Sequence, residues 1–422
     1  MISLLRRNRD FRGLFFAQIV SFAGDWFATV AMLGLVIDRT GSEAAASAVF
    51  VVQTLPAFLL TPLAGPAADR FDRRTLMVVV SLAQAVAAGL FLLATSGPVA
   101  FAFVAQGVIS GLGAFFLPAS QAALPNLVDP EDLPLAAVMM ASTWGAMLAI
   151  GAAAGGLFTV AFGRNAAFVA DAGTFLVAAA LIGSLRRPTQ VRAGVDGPRP
   201  PMRPLADTAE AIRYARSNPV VAALLGSKLG FGLGGGTVGM LALLATDAFG
   251  GGDGATGLLL GARGLGVLLG PFLAKRLAER GTDGILLACG LAGLVFGVGY
   301  AITGTADVIG LAVVGVLIAH MGGGMQWTLS TYGLQRATPD QIRGRIFAAD
   351  FALVTLSMSA SLLVAGAVAE RTGPRPPTLG LAAVVCLWGA VYLSLTRRLR
   401  ARVRVEATPA RIIPTSPDGG SE

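Results

Sequence analysis

Six ionisable side chains interrupt stretches that are otherwise apolar: Asp25, Asp171, Lys228, Arg263, His320 and Asp350. If these stretches cross a bilayer, each ionised group at mid-depth costs about 2.5–3.5 kcal/mol on insertion scales. Each must therefore face a partner or a cavity. A desolvated carboxyl group can take up and release a proton, and a lysine can balance an acid or hold a substrate. A histidine can relay protons. These chemistries move ions rather than make bonds. Asp25 is the leading candidate for proton or cation coupling, with a structural hydrogen-bonding acid as the alternative. Lys228 is its counter-charge or a substrate anchor, although a lysine near a helix end can also snorkel. His320, the single histidine, is a relay or a satisfied interior residue. Asp171 and Arg263 read as packing or gating residues.

Other chemistry lacks its residues. No Walker A sequence is present, so ATP hydrolysis is not expected. Residues 230–235 meet the GxGxxG spacing but lie in an apolar run with no preceding strand, and close helix contact explains them better. The two cysteines, Cys289 and Cys386, are unpaired by spacing and sit in apolar runs. Neither a disulfide nor a zinc site is indicated. No nucleophile stands beside a base. The expectation is no enzyme, no cofactor and no metal.

The elements carrying these residues follow from composition. Hydrophobic residues make up 55% of the 422-residue chain and charged ones 13%, with mean hydropathy +0.71. Soluble domains average about 25% charged. The net charge of +8 lies between apolar runs rather than along one face, which argues against nucleic acid. A helix crossing about 30 Å of hydrocarbon needs about 20 apolar residues. Twelve runs qualify: 14–37, 44–67, 76–95, 99–119, 135–161, 166–185, 220–245, 255–274, 285–303, 308–330, 346–369 and 377–395. The first is too long for a signal-peptide core and no cleavage site closes it, so it reads as a permanent span.

Orientation follows from the basic residues. With the N-terminus inside, the outer loops hold Arg39, Arg164, Arg371 and Arg375, and the spans hold Lys228 and Arg263. The rest of the 32 lysines and arginines fall inside. Both termini are thus expected in the cytoplasm. Four regions result: a six-helix bundle over 1–185, a cytoplasmic linker over 186–218, a second bundle over 219–396, and a basic, then polar tail over 397–422. The linker carries a helix-like stretch at 205–216 that is either a membrane-surface helix or a solvated linker.

The halves echo each other. Gly65-Pro66 closes the second span and Gly270-Pro271 the eighth. Asp129-Pro130-Glu131 follows the fourth and Thr338-Pro339-Asp340 the tenth, at nearly the same spacing. A six-plus-six repeat is how many transporters build alternating access.

The loop Gly65-Pro66-Ala67-Ala68-Asp69-Arg70-Phe71-Asp72-Arg73-Arg74 resembles the loop signature of the major facilitator superfamily. Asn8-Arg9-Asp10-Phe11-Arg12, Gly24-Asp25-Trp26-Phe27 and Asp340-Gln341-Ile342-Arg343-Gly344-Arg345 resemble its macrolide-efflux and enterobactin-exporter-like branch. The pattern departs at Asp72, where glycine is usual, and in Gly151-Ala152-Ala153-Ala154-Gly155-Gly156, which resembles the fifth-helix antiporter signature with alanine where proline is typical. It departs again at Gln106, where many proton-coupled exporters carry arginine.

The resemblance implies an all-α membrane protein of twelve transmembrane helices in two pseudo-symmetric halves. It places the first and tenth helices beside a central cavity. Asp25, Lys228 and His320 are then coupling residues, with Gln18, Gln106, Gln326, Trp327 and Tyr332 as cavity lining. Gly65, Asp69, Arg70, Arg73, Arg74 and Asp350 would form a cytoplasmic gate, in which Asp69 caps a helix N-terminus and latches the halves in the outward-open state. The implied function is export of a small amphipathic molecule, such as an antibiotic or siderophore, by proton antiport. Uptake of a nutrient is the alternative, and a polytopic membrane enzyme the weakest reading. The expected partners are the substrate, protons and the lipid of a bacterial inner membrane, for a monomer.

Overall fold

In a computed structural model, residues 2–190, 204–273, 277 and 279–407 are described. The described residues hold 12 helices long and apolar enough to cross a membrane. A short α1 (Ile2–Arg7) precedes α2 (Arg9–Thr40), α3 (Glu43–Arg70), α4 (Arg73–Ser96), α5 (Ala100–Leu127), α6 (Leu133–Phe162) and α7 (Arg164–Gly183). The linker forms α8 (Pro204–Ser217). The seventh span consists of α9 (Pro219–Gly234), α10 (Gly236–Leu243) and a π-helical turn, Leu244–Ala248. Then come α11 (Gly252–Leu273), α12 (Thr282–Thr305), α13 (Ile309–Ala337), α14 (Asp340–Thr372), α15 (Arg375–Leu395) and the tail helix α16 (Arg397–Ala407). Both ends of the described chain lie on one face, called here the terminal face; the opposite one is the far face.

Helix ends follow local chemistry. Asn8, Ser42, Asp72 and Asn218 each cap a helix with a side-chain oxygen that accepts from a first-turn N–H, which satisfies an orphan donor. Asp72 thus has a local task where the superfamily pattern has glycine. Gly41 ends α2 with φ 59° and donates to the Ile37 carbonyl, a left-handed stop that glycine adopts without strain. Several helices outrun their apolar stretches. Helix α5 continues through Pro118 and Pro125 to Leu127, because helical hydrogen bonding persists after hydrophobicity ends.

The seventh span is broken rather than continuous. Around Gly234–Gly236 the Gly236 N–H donates to Ser361 Oγ (3.0 Å), and Ser361 Oγ donates in turn to the Leu233 carbonyl (2.5 Å). One serine from α14 thus satisfies backbone groups that the break releases.

The spans divide into bundles α2–α7 and α9–α15, joined along two seams. Helix α6 meets α11 through small residues: a Cβ on Gly257 would lie 2.7 Å from Gly156 Cα, and one on Gly261 would lie 3.0 Å from Ala153 Cβ. Without a hydrophobic drive between helices in lipid, such close backbone approach supplies the attraction. Helix α3 meets α14 from Gly366 beside Ala44 to the Phe58–Phe351 ring pair, 6.0 Å between centroids. Ion pairs and hydrogen bonds join the bundles at the far face. Arg164 Nε donates to Asp253 Oδ2 (2.9 Å) and Ser42 Oγ to Glu370 Oε1 (2.5 Å), while Arg164 Nη1 also donates to Asp38 Oδ2 (2.6 Å) within the first bundle.

The linker helix forms and docks on the second bundle. Glu210 pairs with Arg345 at 2.6 Å and Tyr214 Oη donates to the Ala337 carbonyl (3.4 Å). Ile212 remains exposed. The tail helix is held by Arg404, which donates to Asp283 Oδ2 from Nε (3.0 Å) and Nη2 (2.7 Å).

Candidate functional site

Asp25 stands at the middle of α2, itself about 48 Å long at about 1.5 Å per residue. It is partly exposed, and its neighbour on α7 is Asp171, 1% exposed. Gly24 allows the two helices to meet there, since a Cβ on Gly24 would lie 2.8 Å from Asp171 Oδ1. The carboxyl groups interact electrostatically. Both Asp171 oxygens are buried with no hydrogen-bond partner. Asp171 thus lies against the backbone beside Asp25 at mid-depth.

Lys228 is not the counter-charge of Asp25. It is 1% exposed, and its Nζ pairs with Asp350 Oδ2 from α14. It also donates to Thr331 Oγ1 at 3.1 Å and lies 4.6 Å from the Trp327 ring centroid. A buried lysine so paired has no cause to snorkel. The expectation for Asp350 is corrected by the same contact. Asp350 belongs to this pair, whereas Arg345 pairs with Glu210. Both partners of the pair lie about 14 Å up their helices from the terminal face, at about 1.5 Å per residue. Equal depth is what lets them meet, and equal depth on separate helices is not visible in a sequence.

His320 of α13 shares a hydrogen bond of 2.8 Å between its Nε2 and Tyr300 Oη, and stacks edge-on to Phe296 at 5.3 Å. It is 2% exposed. Arg263, on α11 and mid-span, acts electrostatically on Tyr300 and His320, and its Nε is buried without a partner.

The cavity-lining expectations divide. Trp327 and Tyr332 are exposed, at 40% and 43%. Gln18 is buried and donates to the Met140 carbonyl (3.1 Å) and to Thr143 Oγ1, binding α2 to α6 instead of lining a cavity. Gln326 donates to Ser227 Oγ (2.7 Å) inside the second bundle, and Gln106 is 6% exposed. A glutamine in an apolar run reads as functional by sequence, yet an interhelical hydrogen bond serves the same residue type.

In the terminal-face loop, Gly65 and Asp69 fall in the last turns of α3, and the Asp69 side chain lies outside the described residues. Arg70 is exposed. Arg73 Nη1 donates to the Ala122 carbonyl at 2.7 Å, and Arg74 Nη2 to the Gly183 carbonyl. These bonds run within the first bundle, tying α4 to the ends of α5 and α7.

Residues beyond those singled out also organise this face. Asp10 accepts from the backbone N–H of Arg186 (2.7 Å) and of Arg187 (3.4 Å), and Asn8 Nδ2 donates to the Leu127 carbonyl (2.9 Å). The Asn-Arg-Asp-Phe-Arg stretch is therefore a staple across the ends of α2, α5 and α7. The far-face triad of Asp38, Arg164 and Asp253 carried no signal beyond its position in loops.

A family model described as transmembrane secretion effector matches residues 4–416. The multidrug efflux pump Tap of Mycolicibacterium fortuitum is 28% identical over 408 residues, covering 91% of this chain and 95% of that protein. Among solved structures, a point mutant of the peptide transporter POT superposes with TM-score 0.76 at 12% identity, over 93% of this chain and 95% of that one. A bacterial homologue of the human lysosomal transporter Spinster superposes with TM-score 0.70 at 16% identity, over 95% and 98%. Twelve spans in two bundles, the loop signature and this full-length match agree: the chain is a multi-pass membrane transporter, not an enzyme, and belongs to the transmembrane secretion effector family of the major facilitator superfamily.

Proposed function

We propose that this transporter exports a small amphipathic molecule, drug-like or siderophore-like, from a bacterial cell by proton antiport with alternating access. The observation that carries the reading is the near full-length similarity to a multidrug efflux pump. The terminal face is cytoplasmic, because it gathers most of the arginines, and the chain works as a monomer in the inner membrane. The regions 1–185 and 219–396 rock against each other, with 186–218 as the connecting linker and 397–422 as the tail.

With the far-face contacts made, this conformation is closed to the outside. Opening it requires separation of Arg164 from Asp253 and of Ser42 from Glu370, while Gly65, Asp69, Arg70, Arg73 and Arg74 latch the cytoplasmic side. Asp25 is the coupling group. A 100 mV potential contributes about 2.3 kcal/mol per charge moved, so one proton per cycle sustains a gradient of several tens-fold. Lys228 and Asp350 hold α9 to α14 through the cycle, with Trp327 and Tyr332 offering aromatic surface to the substrate.

Accumulation of antibiotics, dyes and siderophores in efflux-deficient bacteria tests this reading. Cells with the wild-type protein should accumulate several-fold less of at least one compound, and a protonophore or Asp25→Asn should abolish the difference. Export that survives in Asp25→Asn removes Asp25 from the coupling path. Raised accumulation would mean uptake and would end the export reading.

A further inference from the structure

We propose that Asp171 and Asp25 form one proton-binding site, a carboxyl pair inside the first bundle that takes up and releases a single shared proton. The inference deepens the reading that Asp25 couples protons, and rests on it. Its basis is the placement of Asp171: 1% exposed, both oxygens without a hydrogen-bond partner, and packed against the backbone of Gly24 next to Asp25.

Among the described residues, no cation balances the pair. Helices α5, α6 and α10, packed on α2, contain no charged residue. Helix α4, packed on α7, has only Arg73 and Arg74, in its first turn at the terminal face. Helix α3 carries Glu43 at one end and Asp69 and Arg70 at the other. On α2 itself the remaining charges are Arg9, Asp10 and Arg12 at one end and Asp38 and Arg39 at the other, and α7 adds Arg164 at the far face. The short α1 ends in Arg6 and Arg7. From α11, Asp253 pairs with Arg164 and Arg263 acts on Tyr300 and His320 in the other bundle. Lys228 is held by Asp350.

Neighbouring carboxylates in low dielectric resist ionising together when no cation balances them. A proton bound between them removes one charge and supplies the donor that the Asp171 oxygens lack. The unequal exposure assigns the parts. Asp25, partly exposed, exchanges the proton, and Asp171 holds it within the bundle. A sequence reading gives Asp171 a packing or gating role because nothing in the run around it marks a partner. Only the approach of α7 to α2 over Gly24 does.

The test is an infrared pH titration of the purified full-length protein in lipid nanodiscs, following the protonated-carboxyl C=O stretch. It needs no transported substrate. The wild type should show one titrating carboxyl that Asp25→Asn/Asp171→Asn lacks. Asp171→Asn alone should move the midpoint by about one pH unit or more, because the pair titrates as a unit. Asp171→Glu, which keeps a carboxyl group, should retain the titrating band near the wild-type midpoint, which shows that the shift in Asp171→Asn is chemical and not misfolding. An Asp171→Asn titration that overlays the wild type would overturn the pair. Replacement of choline by sodium should leave the midpoint in place; a sodium-dependent shift would make this a metal-cation site and overturn the proton assignment. Export failing in cells while the titration holds would remove the export reading and leave the pair standing.

Discussion

The two bundles treat a buried acid in opposite ways. In the second, Lys228 meets Asp350, Thr331 and the face of Trp327, and His320 meets Tyr300. In the first, Asp171 is buried against Gly24, next to Asp25, with neither of its oxygens hydrogen-bonded. A compensated pair fixes a geometry, because removing either partner strands the other in low dielectric. An uncompensated pair of acids has only the proton to balance it. The repeat that built the molecule thus kept its architecture in both halves and placed different electrostatics in each. The contrast separates groups that hold helices together from groups suited to titrate during transport.

The contrast breaks most directly at Lys228. Lys228→Met should leave Asp350 unpaired and destabilise the protein by about 3–5 kcal/mol, read as a lowered midpoint of thermal unfolding in detergent. The double variant Lys228→Met/Asp350→Leu should recover most of that loss. If the single variant unfolds like the wild type, the second bundle does not depend on its ion pair and the contrast between bundles is lost.

A smaller effect is expected at the seam. A side chain on Gly257 meets the backbone of Gly156 and the Ala152 carbonyl, so Gly257→Val should cost about 1–3 kcal/mol by overpacking. The bundles can relieve it by separating at the far face. Cysteine labelling near Asp38 should then rise relative to the wild type. Unchanged labelling together with unchanged stability would mean that the seam yields without strain.

The smallest effect sharpens the symmetry. Asn8 caps α2 by accepting from the Phe11 N–H (2.8 Å), and Asn218 caps α9 by accepting from the N–H groups of Val220 and Val221 (3.2 Å each). They are counterparts in the two halves, with nearly the same spacing as the paired loop motifs. Each asparagine-to-alanine change should cost about 1 kcal/mol in thermal unfolding. Asn8→Ala should cost slightly more, since Asn8 also donates to the Leu127 carbonyl. Equal costs would make that extra bond energetically silent.

Much of the fold was legible without coordinates. Hydrophobic run length is a local property, and a bilayer demands it, so the spans could be counted from residues alone. The repeat was legible too, because a Gly-Pro pair and a proline flanked by an acid recur at nearly one spacing. The break at Gly234–Gly236 was visible only as a glycine cluster, since the serine that stabilises it lies on α14.

The site was legible by residue type but not by partnership. Asp25, Lys228, His320 and Asp350 were marked by the cost of charge in lipid, which depends only on what surrounds each along the chain. Which charge meets which depends on helix depth and rotation, and apolar periodicity specifies those poorly when helices are hydrophobic on nearly all sides. That is why Lys228 looked free to balance Asp25 and Gln18 looked like cavity lining. The sequence by itself determined a twelve-span membrane transporter with charges it must accommodate. The tertiary structure alone decided that Lys228 is balanced by Asp350 and that Asp25 is left with Asp171. A partner across the bundle is set by the close approach of two backbones, and at Gly24 that approach is possible because no Cβ stands in the way.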